Sequence, residues 1–336
     1  VIEFLGKLVR CEHLTEDEAA RAMELIMREE ATPSQIAGLI VALRVKGETI
    51  DEIAGMARTA MALATPIEVS RPEDLLDVVG TGGDGSHSIN ISTLSAIVAA
   101  ACGVRVAKHG NRAASSVCGA ADVLEALGVR IDLPPAGVAG CVSEVGIGFL
   151  FAPLFHPAFR YTGVSRRELG VRTVFNVLGP LCNPARAGCR ALGVADATLA
   201  PRMADVLLRL GVRRALVFSA DGLDELSTMG PSLMIELLDG QRCQYQLDPA
   251  ELGLPRASAD DLRGGQAARN AEIARSVLGG ERGPRRAGSR ALRGDSRGSA
   301  RSRPRLLGLH LWRVRTVPGA DPGEREHAAG SPGGAP

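Results

Sequence analysis

Three amphipathic stretches fill roughly the first 65 residues, each opened by the same signal. Thr15 with Glu18, Thr32 with Gln35 and Thr49 with Glu52 have capping-box spacing, in which the hydroxyl accepts from the third residue's amide and the longer side chain reaches back. Pro33, at the first helical position, reinforces the second box. Behind each box runs an apolar face: Ala19, Ala22, Met23 and Ile26, then Ile36, Leu39, Ile40 and Leu43, then Ile53, Met56, Ala57, Ala60 and Met61. These stripes read as core and imply no cofactor. They predict a separate helical unit over 1–70, and since short helices are marginal alone, that unit must dock on something.

From Leu75 the pattern changes to short apolar runs alternating with helical ones. Strands are expected at 75–79, 104–107, 130–132, 148–151, 191–195 and 215–219. Helices are expected at 94–102, 122–127, 138–145, 165–169 and 202–210, the first two closed by Gly103 and Gly128. Segment 234–247 reads as a hairpin around Asp239-Gly240. The fold class that follows is α/β: a small N-terminal all-helical domain plus a larger α/β domain, 71–286, with a mostly parallel central sheet.

The first strand runs into Gly80-Thr81-Gly82-Gly83-Asp84-Gly85. Glycines permit positive φ and close backbone approach, so successive amides can converge on phosphate oxygens. Asn90, Ser92 and Thr93 are cap-type residues ahead of the next helix, whose positive end favours an anion. The loop satisfies GxGxxG literally, but the ribose-binding acid expected about 20 residues on is absent, and no Gly-Lys-Ser/Thr completes a Walker pattern. Asp84 would repel a bare pyrophosphate, yet is tolerable beside a divalent cation or a ribose hydroxyl. Lys108, His109, Asn111 and Arg112 crowd around Gly110 just after the next expected strand, with Ser115 and Ser116 extending the donors. In isolation such a cluster is a solvated turn. At the carboxyl end of a neighbouring strand it becomes half of a phosphate site.

Composition narrows the function classes. The 336 residues are 45% hydrophobic, ample for a buried core, and the net charge of +1 gives no field that recruits nucleic acid or membrane. Aromatics at 3% leave few platforms for stacking bases. Seven cysteines without a CxxC pair fit a reducing compartment and neither a structural zinc nor a disulfide framework. No signal-peptide pattern and no long apolar run is present, so a cytoplasmic location is expected.

Several long strings in one order, GTGGDG, NIST, KHGNRAASS, ADVLEALG, RRELGVRTVFNVLGPLCNPA and GLDELS, resemble the anthranilate phosphoribosyltransferases, from near the amino terminus to about Arg286. The resemblance implies transfer of a 5-phosphoribosyl group from phosphoribosyl pyrophosphate to the amine of anthranilate, with Mg2+ and without a covalent nucleophile. It further implies phosphoribosyl pyrophosphate contacts at Gly80, Gly83, Asp84, Ser88, Asn90, Ile91, Ser92, Thr93, Lys108, His109, Gly110, Asn111, Arg112, Ala113, Ala114, Ser115, Ser116 and Ala120. Anthranilate contacts are implied at Gly80, Asn111 and Arg166, with His109 lining the same tunnel, and magnesium ligands at Ser92, Asp224 and Glu225. Arg166 suits a bidentate grip on a carboxylate, although beside Arg167 and Glu168 it would otherwise read as a helix-surface charge. Ala120 stands where the family commonly has serine, a loss of one neutral hydrogen bond worth roughly 0.5–1.5 kcal/mol.

A homodimer through the helical unit is implied by the same resemblance. Segments 64–72 and 152–163 are the expected hinges, closing the site so that water is kept from the ribosyl cation. His156, beside Pro157, reads as a packed loop histidine. A nucleoside phosphorylase of the related fold would use similar phosphate loops, but KHGNR and GLDELS argue against it. A nucleic-acid-binding relative could draw on the arginine-rich tail, but the main body is near neutral and its substrate strings are intact.

From about Ala287 the sequence turns rich in Arg, Gly, Ser and Pro, without Ile, Phe, Tyr or Lys. Such composition does not bury a core and predicts disorder. The abrupt switch points to a reading-frame shift, which resequencing the gene decides.

Overall fold

The computed structural model describes residues 1–113 and 116–280. The arginine-rich tail, Ala114 and Ser115 lie outside the described residues. The amino-terminal part is four helices: α1 (Ile2–Val9), α2 (Glu16–Met27), α3 (Pro33–Lys46) and α4 (Ile50–Ala62). All three expected capping boxes form, each Thr hydroxyl accepting from the amide three residues on. Glu52 also accepts from the Leu14 amide at 2.9 Å and pairs with Lys46 at 2.9 Å, so a fully buried carboxylate has every need met and ties the α3–α4 turn to the start of α2. The short α1 carries no box, and no sequence signal pointed to it.

The α/β part contains β1 (Leu76–Gly80), α5 (Ile91–Ala101), β2 (Val106–Gly110), α6 (Ala120–Ala126), α7 (Pro135–Glu144), β3 (Ile147–Phe151), α8 (Ala152–Phe155), α9 (Gly163–Leu169) and α10 (Phe175–Leu181). It continues through β4 (Cys189–Gly193), α11 (Ala200–Arg209), β5 (Arg214–Ser219), β6 (Ser232–Leu238), β7 (Gln241–Leu247) and α12 (Ala267–Leu278). One seven-stranded sheet runs in the order β3-β2-β1-β4-β5-β6-β7, parallel through β5 and antiparallel for the last two strands. The β6–β7 turn is Asp239-Gly240 with φ of 46° and 85°, both left-handed, as a tight hairpin turn requires.

Three expectations change. Segment 130–132 is not a strand: Ile131 tucks against Ala121 and Leu124 of α6, and Pro134-Pro135 deny the segment two ladder donors. Strand β2 ends at Gly110 rather than at 107, so Lys108 and His109 are buried strand residues and not a solvated turn. Helix α5 starts at Ile91, which puts Ser92 and Thr93 in its first turn, and Asn90 makes no side-chain cap. The helical unit docks as expected, Met23, Ile26, Leu39 and Met56 sharing one apolar core with Phe175, Leu178, Leu207, Leu192, Val217 and Ile235. A second, smaller core includes Val138, Val142, Leu150 and Phe155. The two expected hinge segments meet there, Thr65 donating to the Phe155 carbonyl at 2.7 Å.

Helices α2 and α4 approach so closely that a Cβ on Gly55 would lie 2.1 Å from the Glu16 carbonyl oxygen. Gly55→Ala is therefore expected to lower stability by about 1–3 kcal/mol, read as an earlier urea midpoint; an unchanged midpoint refutes the close packing.

Candidate active site

The site begins where the sheet changes direction. The chain builds β1, β2 and β3 toward one edge, then returns to β4 on the other side of β1, and in such sheets the crevice beyond the carboxyl ends at the reversal is where ligands collect. Strands β1 and β2 splay here, pairing in register only at Leu76 and Val106. Side chains take over the missing ladder. Asp77 accepts from the His109 amide at 3.0 Å and pairs with Arg190 of β4 at 2.8 Å, while Lys108 Nζ donates to the Val78 carbonyl at 2.5 Å. Lys108 also donates to Ser92 Oγ at 3.4 Å, and burial pulls its pKa down against the raising effect of Asp77, Glu225 and Asp224.

Above the splay lies the glycine loop, with left-handed φ at Gly82, Gly83, Gly85 and His87. Asp221-Gly222, both with positive φ, form a tight turn after β5 that sends Asp224 and Glu225 back across the strand ends. The fit is close: a Cβ on Gly80 would lie 2.1 Å from Asp224 Oδ2, and one on Gly193 of β4 would lie 1.6 Å from the Asp224 carbonyl oxygen. Asp224 accepts from the Gly82 amide at 2.6 Å, and Glu225 accepts from the Ser92 amide at 3.0 Å. Asp84 accepts from the Ser86 amide at 3.1 Å and raises the pKa of Asp224 nearby.

Burial pushes Glu225 up to about 8, helped by repulsion from Asp224, and Asp224 up to about 6, helped by Asp84. Mutually repelling carboxylates beside a serine hydroxyl form an oxygen donor set that suits a hard divalent cation. Among the described residues no three His, Cys, Asp or Glu side chains converge on one point. Ser92, Asp224 and Glu225 would hold a cation that takes its remaining ligands from substrate and water, as magnesium commonly does. The residues fit that group.

The loop after β2 is held from below. Asp122 of α6 accepts from the amides of Ala113 and Gly119 at 3.0 and 2.8 Å, and Arg112 pairs with Asp122 at 3.0 Å and with Glu125. The Arg112 guanidinium is thus committed to α6, and Phe151 lies 5.6 Å beneath it. Gly110 is needed for space, since a Cβ there would meet Phe149 at 2.8 Å and Ala120 at 3.2 Å. Asn111 accepts from the Arg112 amide at 2.8 Å, and Asn111 and Ser116 are exposed. Ser88 bridges to Arg263, a partner that no sequence signal singled out. Thr93 Oγ1 is buried without a partner among the described residues.

A ladder of rings leads away from this centre. His109 and His156 lie 5.1 Å apart, His156 and Phe159 5.3 Å, Phe159 and Phe175 5.9 Å, and the Arg166 guanidinium sits 5.6 Å over Phe175. Burial lowers the Arg166 pKa, and no carboxylate pairs with it among the described residues. His109 is buried, with its pKa well below the usual value through desolvation and the neighbouring His156 and Arg190, and its Nε2 has no partner among the described residues. It is neutral at physiological pH. His156 is packed as expected, its Nε2 bonded to the Cys182 carbonyl at 2.7 Å. Arg172 donates to the Gly83 carbonyl at 2.9 Å, and Arg172, Phe159, Phe175, Asp77 and Arg190 were all missed from sequence.

Two family profiles match: "Glycosyl transferase family, helical bundle domain" over residues 2–64 and "Glycosyl transferase family, a/b domain" over 72–292. Anthranilate phosphoribosyltransferase 2 of Streptomyces coelicolor is 61% identical over 274 residues, 81% of this chain and 82% of the relative. The chain belongs to the anthranilate phosphoribosyltransferase family. The crystal structure of the family member from Thermus thermophilus superposes with a TM-score of 0.81 at 49% identity, covering 85% of each chain. That of the Saccharomyces cerevisiae member, in complex with PRPP and Mg, gives 0.78 at 28% identity, covering 87% of this chain and 85% of the other. The Nocardioides member is 52% identical over 324 residues, 95% of this chain and 94% of its own, so that match extends beyond Arg286 into the arginine-rich segment.

The raised carboxylates set a direction for metal binding within this family site. Protons held by Glu225 (about 8) and Asp224 (about 6) must leave before a cation enters, so magnesium affinity rises between pH 6 and pH 8. Displacing one proton per cation corresponds to about tenfold per pH unit. Calorimetric titration in buffers of different ionisation heat should show proton release, and a pH-independent affinity without release refutes it.

Proposed function

We propose that the chain transfers the 5-phosphoribosyl group of phosphoribosyl pyrophosphate to the amine of anthranilate, giving N-(5-phosphoribosyl)anthranilate and pyrophosphate in tryptophan biosynthesis. The observation that carries this reading is Arg166: a part-buried guanidinium with no carboxylate partner among the described residues, at the end of a ring ladder that starts in the phosphate-loop strand. An aromatic carboxylate meets both needs, its ring against Phe159 and Phe175 and its carboxylate on the guanidinium.

In the reaction the ribose C1–O bond breaks with its electron pair going to pyrophosphate, the amine nitrogen bonds to C1, and the nitrogen loses a proton. Magnesium, when bound, supplies positive charge against the developing pyrophosphate charge. The chain's own part is preorganisation. Backbone amides of Gly83 and Asp84, with Ser88, Asn90, Ser92 and Thr93, take phosphate oxygens and ribose hydroxyls. Lys108, fixed by Val78 and Ser92, lies beneath them. The loop after β2 is anchored by Asp122 at the Ala113 and Gly119 amides, and Gly80 with Asn111 borders the anthranilate end. Arg112 contributes through its backbone, its side chain being engaged by α6.

We also read 1–70 as the helical domain, 71–286 as the transferase domain and 287–336 as an atypical tail. A homodimer is favoured by the apolar face around α1 and the end of α3, where Ile2, Val9 and Val45 are 72%, 70% and 81% exposed. Among the described residues no helix is long and apolar enough to cross a membrane.

Anthranilate fluorescence should fall only when protein, phosphoribosyl pyrophosphate and magnesium are all present. Arg166→Ala should raise the anthranilate KM by about 10- to 100-fold, the worth of a charge-assisted hydrogen bond, with the phosphoribosyl pyrophosphate KM unchanged; the opposite split removes Arg166 from the acceptor site. The mass in solution should be that of a dimer, and Val9→Lys with Val45→Lys should convert it to a monomer. A monomeric wild type refutes the interface.

A further inference from the structure

Asn270 of α12 lies outside every motif that marks the site, yet it is 3% exposed and hydrogen-bonded into it. Its Oδ1 accepts from the Gly265 amide at 2.7 Å, its Nδ2 donates to Asn90 Oδ1 at 2.9 Å, and Asn90 Nδ2 donates to the Cys118 carbonyl at 3.0 Å. A backbone N–H only donates and a carbonyl only accepts, so the two amides between them are locked head to tail. Neither can flip without breaking both of its bonds.

The relay explains why Asn90, at the cap position of α5, does not cap its own helix. Held by Asn270 and Cys118, its side chain does not turn back onto the first-turn amides, two of which are engaged elsewhere, Ile91 by the Ile89 carbonyl at 2.7 Å and Ser92 by Glu225 at 3.0 Å. The same relay fixes the Gly264-Gly265 turn. A Cβ on Gly264 would lie 2.8 Å from Asn270 Oδ1 and 2.7 Å from the Ser88 carbonyl, and the neighbouring Arg263 bridges to Ser88. It also anchors Cys118, next to Gly119, where the loop that follows β2 closes. Three separate strings of the phosphate site, at 88, 90 and 118–119, thus converge on one amide.

We propose that Asn270 is a positioning residue for phosphoribosyl pyrophosphate, setting the side-chain direction of Asn90 and the path of the Cys118 loop without touching substrate. This rests on the reading of Asn90 as a phosphoribosyl pyrophosphate contact. The helix does not need the amide to stay docked, because Ile273, Ala274 and Val277 pack on Ile89, Ile91 and Leu94. Positioning and docking are therefore separable.

The test compares Asn270→Ala, Asn270→Asp, Asn90→Ala and the double alanine variant in the full chain, by steady-state kinetics and by the rise in Tm on adding phosphoribosyl pyrophosphate with magnesium. Asn270→Asp keeps the acceptor for Gly265 and loses the donor to Asn90, so it reads the relay even if alanine perturbs folding. Both Asn270 variants should raise the phosphoribosyl pyrophosphate KM about tenfold and shrink the Tm rise, with the anthranilate KM within about twofold. The double variant should be no worse than Asn90→Ala alone. A lower Tm with unchanged phosphoribosyl pyrophosphate KM in both Asn270 variants makes Asn270 merely structural and overturns the proposal, as do effects that multiply in the double variant. An unchanged KM in Asn90→Ala overturns the reading of Asn90 itself. A raised KM there, with an unchanged one in both Asn270 variants, overturns the positioning role alone.

Discussion

Asp77 joins three strands at the point where the sheet reverses direction. Fully buried on β1, it takes the His109 amide of β2 on one oxygen and the Arg190 guanidinium of β4 on the other. A buried carboxylate left unpaired costs several kcal/mol, so both neighbouring strands must stay in place for it. Because Asp77 and Lys108 replace ladder hydrogen bonds, β1 and β2 can separate toward their carboxyl ends without leaving buried backbone groups unpaired. The gap that results is where we place the phosphate site.

Everything above the gap depends on its shape. The turn at Asp221-Gly222 lays Asp224 over Gly80 and Gly193, two strand-end positions where any side chain would collide with it. Carboxylates confined there repel each other and are poorly solvated, which raises their pKa values and makes a divalent cation the natural counter-charge. The acceptor side is built differently, from rings and one guanidinium on the α9–α10 segment. Phe159 and Phe175 share the apolar core with the helical bundle, so the amino-terminal helices brace that segment.

Local chemistry made much of this legible. The capping boxes, the glycine loop and the Asp239-Gly240 turn depend on residues within a few positions of one another, and each appears where the pattern puts it. Elements whose existence depends on packing were not legible. Helix α12 has a mixed composition and is positioned by Ile273 and Val277 against α5, and α10 contains Gly179 and Pro180 inside a buried segment. Segment 130–132 has a strand's composition but lies against α6 with no strand to pair with.

The sequence by itself determined the kind of chemistry: a phosphate loop, a cationic strand end, paired carboxylates and a lone arginine, in an order that marks one family. Only the tertiary structure decided which of those charges are free to act. Arg112 is spent on Asp122 and Glu125, Lys108 is buried within the sheet, and Arg166 is left without a carboxylate partner among the described residues. It also brought in Asp77, Arg190, Arg172 and Asn270, each tied to a partner 32 or more residues away along the chain. Charge and hydrogen bonding act through space, and the partner of a buried polar group is set by the strand order and helix packing rather than by its neighbours in sequence.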